Sequence, residues 1–185
     1  MRKIYLIFLF IIFVNFKLMA MENKILIKLE YGIVEIELFS DVAPKHVERI
    51  LTLSKNKEYD GVVFHRVIDG FMAQTGDVEF GNSTKETFSL DRAGTGSSSL
   101  PDLKSEFNNI PHERGTVSMA RSSNPNSCNS QFFICLEAAP HLDRQYTVFG
   151  KVIKGMEFVD QIKKGDGPNG SVSNPDKILN ITIKK

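Results

Sequence analysis

The sequence predicts a mainly β domain, a barrel or a sandwich, on three observations. About eight short runs read as strands by alternation and β-branched content. Two helical stretches stand isolated among them. No internal repeat and no Pro/Gly-rich linker divides the chain. Many short strands with only two helices favour a closed sheet whose open ends the helices cover, because closure removes unpaired edges.

In chain order, Met1–Ala20 has the make-up of a signal peptide. Arg2 and Lys3 precede the almost wholly apolar stretch Ile4–Phe16, and Leu18-Met19-Ala20 ends in a small residue suited to cleavage. The apolar run is shorter than the ~20 residues that span a bilayer. Leu18 is bulky for a cleavage site and Lys17 interrupts the run, so an uncleaved anchor is the alternative. Removing residues 1–20 takes away Arg2, Lys3 and Lys17 and no acid, shifting the formal charge from +1 to −2. Residues 21–185 then form one soluble domain, expected as an exported monomer in the bacterial periplasm with no stable membrane association.

The domain opens with Lys24–Glu30 and Ile33–Leu38, two alternating runs that predict a β-hairpin with one wet face. Asp41 before Val42-Ala43-Pro44 signals a helix start, and Val47, Ile50 and Leu51 continue an apolar stripe to about Lys55. Met156, Val159 and Ile162 predict a second helix over Met156–Lys164, stopped by Gly165. The remaining strands are predicted at Val62–Val67, Phe71–Gln74, Thr116–Ala120, Gln131–Leu136, Thr147–Ile153 and Ile178–Ile183.

Composition excludes several functions. The near-neutral charge leaves no basic stripe for nucleic acid. Cys128 and Cys135 lack C-x-x-C spacing and read as free thiols, Cys135 ending an apolar run and Cys128 in a polar loop. His46, His65, His112 and His141 are too scattered for a metal site. Gly94-Thr95-Gly96 lacks the third glycine and the Lys-Ser/Thr pair of a phosphate loop.

The stretch Phe64–Asp77, FHRVIDGFMAQTGD, carries the most information. Asp69-Gly70 predicts a turn between two extended runs, and alternation puts His65 and Val67 on one face and Phe64, Arg66 and Ile68 on the other. Alone, Arg66 reads as a surface arginine covering apolar neighbours, and Phe71, Phe133 and Leu142 read as core. Two further blocks change that weighting. They are Arg114–Ala120 with Asn126–Cys135, and Leu142–Val152.

Together the three blocks resemble, in order and over about Ile25 to the C-terminus, the cyclophilin family of peptidyl-prolyl cis-trans isomerases. The resemblance implies a closed eight-stranded antiparallel β-barrel capped by two α-helices. It implies isomerisation of X-Pro bonds in unfolded or flexible proteins, with no cofactor and no metal. Arg66 and Gln74 would be catalytic; Phe71, Met72, Phe133 and Leu142 would line a proline pocket. Gln131 would hold Arg66 and the substrate backbone, Ala120, Arg121 and Ser122 would pair with the peptide, and Tyr146 would cap one side. A binding module that holds proline-containing segments without turnover is the competing class; the presence of Arg66, Phe71 and Gln74 favours catalysis.

The chain departs from the pattern in three places. His141 stands where many relatives carry a tryptophan, so weak cyclosporin binding is expected. Ser123-Asn124-Pro125 lengthens the loop after Ala120 by one residue relative to the common eukaryotic form. Val78–Ala93 is a long polar loop, expected to form a rim that selects client peptides.

Overall fold

The computed structural model describes residues 24–184; the predicted signal peptide lies outside them. Eight strands form one strongly curled antiparallel sheet. They are β1 (Lys24–Lys28), β2 (Ile33–Leu38), β3 (Arg66–Ile68), β4 (Met72–Thr75), β5 (Thr116–Met119), β6 (Phe132–Cys135), β7 (Val148–Lys154) and β8 (Asn180–Lys184). Their spatial order is β3-β4-β6-β5-β7-β2-β1-β8. Helix α1 spans Pro44–Lys55 and helix α2 spans Met156–Asp160.

The closed barrel expected from the sequence is corrected to an open, curled sheet. β3 and β8 end the strand order without a ladder between them. Isolated bridges, Val63 to Lys177 and Arg66 to Ser171, cross this seam. The cause is local: the predicted strand Val62–Val67 is regular only from Arg66. Before it, Val63 N–H donates to Gly81 O, and the bonds from Phe64 N–H to Asp176 O and from Ile178 N–H to Val62 O make only the one bridge at Val63.

Along β3 to β6 successive side chains alternate between two cores. Val67, Ala73, Val117, Met119, Phe132 and Ile134 join the main core inside the curl. Met72, Phe133 and Cys135 join a smaller cluster with Ala139 and Leu142, against which Ile68, Phe71, Ala120 and Tyr146 pack. Successive side chains on a strand point to opposite faces, so the smaller cluster lies on the outer face of these four strands. Phe64 was expected beside Arg66 but packs in the main core with Val67. It precedes β3, where the alternation has not begun.

α1 starts with Pro44 at its first turn, but Asp41 does not cap it; Ala43 takes the cap position with no side-chain bond. The carboxylate of Glu106 arrives from a distant loop and accepts from Lys45 N–H (3.1 Å) and His46 N–H (3.1 Å). The same group lies 2.6 Å from Nδ1 of the buried His46. An acid at a helix N-terminus satisfies open amides and complements the helix dipole. α2 ends at Asp160 rather than Lys164 because later amides find partners elsewhere: Lys163 N–H donates to Asp176 Oδ2 and Gly165 N–H to Val67 O.

Both cysteines are free, and both are buried. Cys128 was expected in a polar loop, but it packs in the main core. Burial pushes the Cys128 thiol up to about 11 and the Cys135 thiol up to about 12. Both are therefore unreactive thiols at neutral pH.

Because Glu106 caps α1 across the structure, Glu106→Ala is expected to lower the unfolding free energy by about 1–3 kcal/mol. A urea midpoint unchanged from the wild type would contradict this cap.

Candidate active site

Strand register assembles the site. Arg66 on β3 lies opposite Gln74 on β4, Gln74 lies opposite Phe133 on β6, and Phe133 lies opposite Ser118 on β5. The turn that brings Arg66 and Gln74 together is the predicted one at Asp69-Gly70. Phe71 N–H donates to Ile68 O, and Gly70 takes φ +68°, a conformation that costs glycine little.

Arg66 is held at two nitrogens. Nε donates to Asn169 O at 2.9 Å, and Nη1 donates to Gln74 Oε1 at 3.3 Å, with Met72 Sδ 3.7 Å away. No hydrogen bond within the described residues engages Nη2. Partial burial lowers the pKa of the guanidinium, but an arginine starts high enough to stay charged. Gln74 Nε2 donates to Gln131 Oε1 at 3.0 Å, and Gln131 Nε2 donates to Gly94 O and Gly96 O at 3.0 and 2.8 Å. The two amides therefore have their oxygen and nitrogen ends fixed by their neighbours.

Beside this row lies an apolar cavity of about 200 Å³. Nine predicted residues line it: Arg66, Phe71, Met72, Gln74, Ala120, Arg121, Phe133, Leu142 and Tyr146. A second, more polar cavity of about 330 Å³ shares Gln74, Ala120 and Arg121 with the first. Ser122 and Gln131 line only this second cavity. His141 lines neither; its ring sits against Phe71 with centroids 5.4 Å apart. The expected rim Val78–Ala93 is also absent from both walls. Its continuation Gly94–Ser97 lines the polar cavity instead.

The apolar cavity has a rigid frame. The Arg121 guanidinium lies 4.4 Å above the Tyr146 ring, Nε donates to Gln145 O, and Nη1 donates to Ser122 O. Tyr146 meets Phe133 edge-on at 5.8 Å. Behind Phe133, the buried His112 stacks at 6.1 Å between Asp143 Oδ1 (2.9 Å from Nδ1) and Ser118 Oγ (3.1 Å from Nε2). Sequence reading did not single out His112 for the site, nor Asn169 or the Gly94–Gly96 carbonyls. Their parts depend on pairings across the fold that no local pattern announces.

This geometry defines a class: a β-domain with a small apolar pocket, one wall of which is a cation fixed in orientation. Comparison with known proteins places it further. Residues 24–183 match the family model described as cyclophilin type peptidyl-prolyl cis-trans isomerase. A probable peptidyl-prolyl cis-trans isomerase of Brucella suis is 57% identical over 164 residues, covering 88% of this chain and 83% of that one. Peptidyl-prolyl cis-trans isomerase-like 3 of Gallus gallus is 43% identical, covering 73% and 78%. A Cryptosporidium parvum cyclophilin type isomerase, solved in the presence of the dipeptide Ala-Pro, superimposes with a TM-score of 0.74 at 29% identity, covering 88% and 99%. The chain belongs to the cyclophilin-type peptidyl-prolyl cis-trans isomerases.

Next to Arg66, His65 is buried with neither ring nitrogen bonded, and burial pushes its pKa down to about 4. His46 shifts in the same direction, its burial outweighing the attraction of Glu106. An unfolded histidine titrates near 6.5. Between pH 6.5 and 4 the unfolded chain therefore binds a proton that folded His65 does not, so stability is full above this window and falls on acidification through it. The loss due to His65 is expected to be on the order of 3 kcal/mol. Urea unfolding at pH 7 and pH 4.5 tests this. His65→Gln should lose less stability than the wild type between those two values, and an equal loss would refute the assignment.

Proposed function

We propose that this protein accelerates cis-trans isomerisation of X-Pro bonds, with the apolar cavity taking the proline ring and Arg66 stabilising the twisted amide. The observation that carries the reading is the fixed Arg66 guanidinium on the wall of an apolar pocket sized for a small ring. The uncatalysed barrier of ~18–20 kcal/mol is amide resonance lost as the C–N bond turns. In the twisted state the prolyl nitrogen regains its lone pair. A donor aimed there binds the transition state more tightly than the planar ground state. Isomerisation in milliseconds instead of tens of seconds needs roughly 10⁴-fold, or about 5–6 kcal/mol. A charged donor with little reorganisation to undergo supplies a large part of that.

Each neighbour has a part in this scheme. Phe71, Met72, Phe133 and Leu142 enclose the ring, and Tyr146 under Arg121 closes one side. Gln74 and Gln131 hold Arg66 in plane, while Ala120, Arg121 and Ser122 offer backbone to an extended peptide. The solved relative with Ala-Pro supports a proline-containing ligand. The substrates are X-Pro segments of unfolded or flexible proteins. The pattern of Met1–Ala20 supports action after export, in the periplasm.

Exchange NMR on a short X-Pro peptide tests the chemistry without a coupled protease. Arg66→Ala is expected to reduce the isomerisation rate by roughly 10²–10³-fold while peptide binding persists, and Arg66→Lys to rescue little, since a lysine lacks the planar fork. Binding without acceleration in the wild type would instead establish a holding module. Cyclosporin provides a second check. With His141 packed on Phe71 and no indole N–H in the chain, only weak inhibition is expected, and nanomolar inhibition would contradict it.

A further inference from the structure

Arg66 is held not only by Gln74 but also by a turn far along the chain. Residues Pro168–Gly170 form a single 3-10 turn, and within it Asn169 is left-handed, at φ 56° and ψ 22°. Its main-chain carbonyl accepts from Arg66 Nε at 2.9 Å, 103 positions away in sequence.

The turn is fastened to β3 on both sides of that bond. Ser171 bridges Arg66 itself, and Gly165 N–H donates to Val67 O. Gly170, at φ +80°, lies so close to β3 that a Cβ there would collide with Ile68 Cγ1. The loop is closed on itself as well: Gly167 N–H donates to Ser171 O, and Asp166 accepts from Ser173 at both N–H and Oγ.

We propose that this turn is a positioning element for Arg66, acting through the carbonyl of left-handed Asn169. The inference rests on the isomerase reading above. With Nε tied to Asn169 and Nη1 to Gln74, the guanidinium plane is fixed from two elements, and Nη2 remains for the substrate. Asn169 touches no substrate in this scheme. What the position requires is backbone in the left-handed region, which asparagine and glycine adopt and β-branched residues resist.

Asn169→Val and Asn169→Gly separate this from a structural role. Asn169→Val is expected to lower kcat at least roughly tenfold with the peptide Kd within about twofold, as a displaced catalytic group would. It should also shift the ¹⁵Nε resonance of Arg66 in the free protein. Asn169→Gly should match the wild type in both. A folded Asn169→Val with unchanged kcat and unchanged Nε resonance overturns the proposal, and so does an Asn169→Gly as impaired as the valine variant.

If Asn169→Val does not fold, hydrogen exchange in the wild type decides. Arg66 Nε–H should exchange more slowly than that of exposed Arg144; equal rates overturn the proposal. A wild type that binds peptide without isomerising it would sink the functional reading, while the Nε resonance and exchange would still report whether the turn holds Arg66.

Discussion

The buried carboxylate of Asp77 anchors the site. Its Oδ1 accepts from Glu79 and Phe80 N–H, and its Oδ2 accepts from Gly94 and Gly96 N–H, so one side chain pins both ends of the loop Val78–Ala93. Turning the Gly94 and Gly96 amides toward Asp77 leaves their carbonyls for Gln131, Gln131 accepts from Gln74, and Gln74 accepts from Arg66. Each link satisfies a polar group that would otherwise be costly to bury. The direction of every amide in the chain follows from the anchor at its far end. The orientation of the Arg66 guanidinium is thus determined partly by a carboxylate four hydrogen bonds away.

Placing the chemistry outside the curl resolves a conflict between stability and access. The inner faces of β3 to β6 carry Val67, Ala73, Phe132 and Ile134, which pack against the helices' and hairpin's side chains in the main core. The outer faces of the same strands carry Met72 and Phe133, which form a smaller cluster open enough to leave a cavity. Because the two sets alternate residue by residue, Phe133 is braced by the core neighbours Phe132 and Ile134 on either side in sequence. A cavity in the main core would forfeit dispersion contacts and cost stability in proportion to its volume. On the outer face, the same volume can be filled by a ligand.

The same alternation explains how far the site could be read from sequence. Asp69-Gly70 with flanking extended runs marked the turn between β3 and β4, the family resemblance assigned Arg66, Gln74 and Phe133 to one site, and the strand register sets them in one row. Phe64 was misplaced because period-two logic was carried back past the start of β3, where tertiary hydrogen bonds replace the ladder. Asp41 was a plausible cap by composition, yet the cap is Glu106, which no local spacing connects to α1. The loop Val78–Ala93 looked like a rim because it follows the Phe64–Asp77 stretch, but Asp77 folds it back so that its continuation Gly94–Ser97, and not the loop itself, lines a cavity of the site. Sequence reading succeeded where one strand or turn contains the information, and failed where a side chain reaches across many residues.

Those long-range contacts are also what make an arginine usable here. A flexible cation near a twisting amide would have to be ordered during the reaction, and that entropy would subtract from the stabilisation it gives. On the role proposed for Arg66, this ordering is built into the fold: Asn169 and Gln74 hold two nitrogens of one plane, and Met72 lies against it. Partial burial then strengthens whatever bond the remaining nitrogen makes, since the charge is less screened than at an open surface. The barrier to proline isomerisation is electronic and involves no bond cleavage, so in the proposed scheme a fixed donor beside an apolar pocket supplies a large part of what is required. The fold's long-range hydrogen bonds supply the fixing, and its outer-face cluster supplies the pocket.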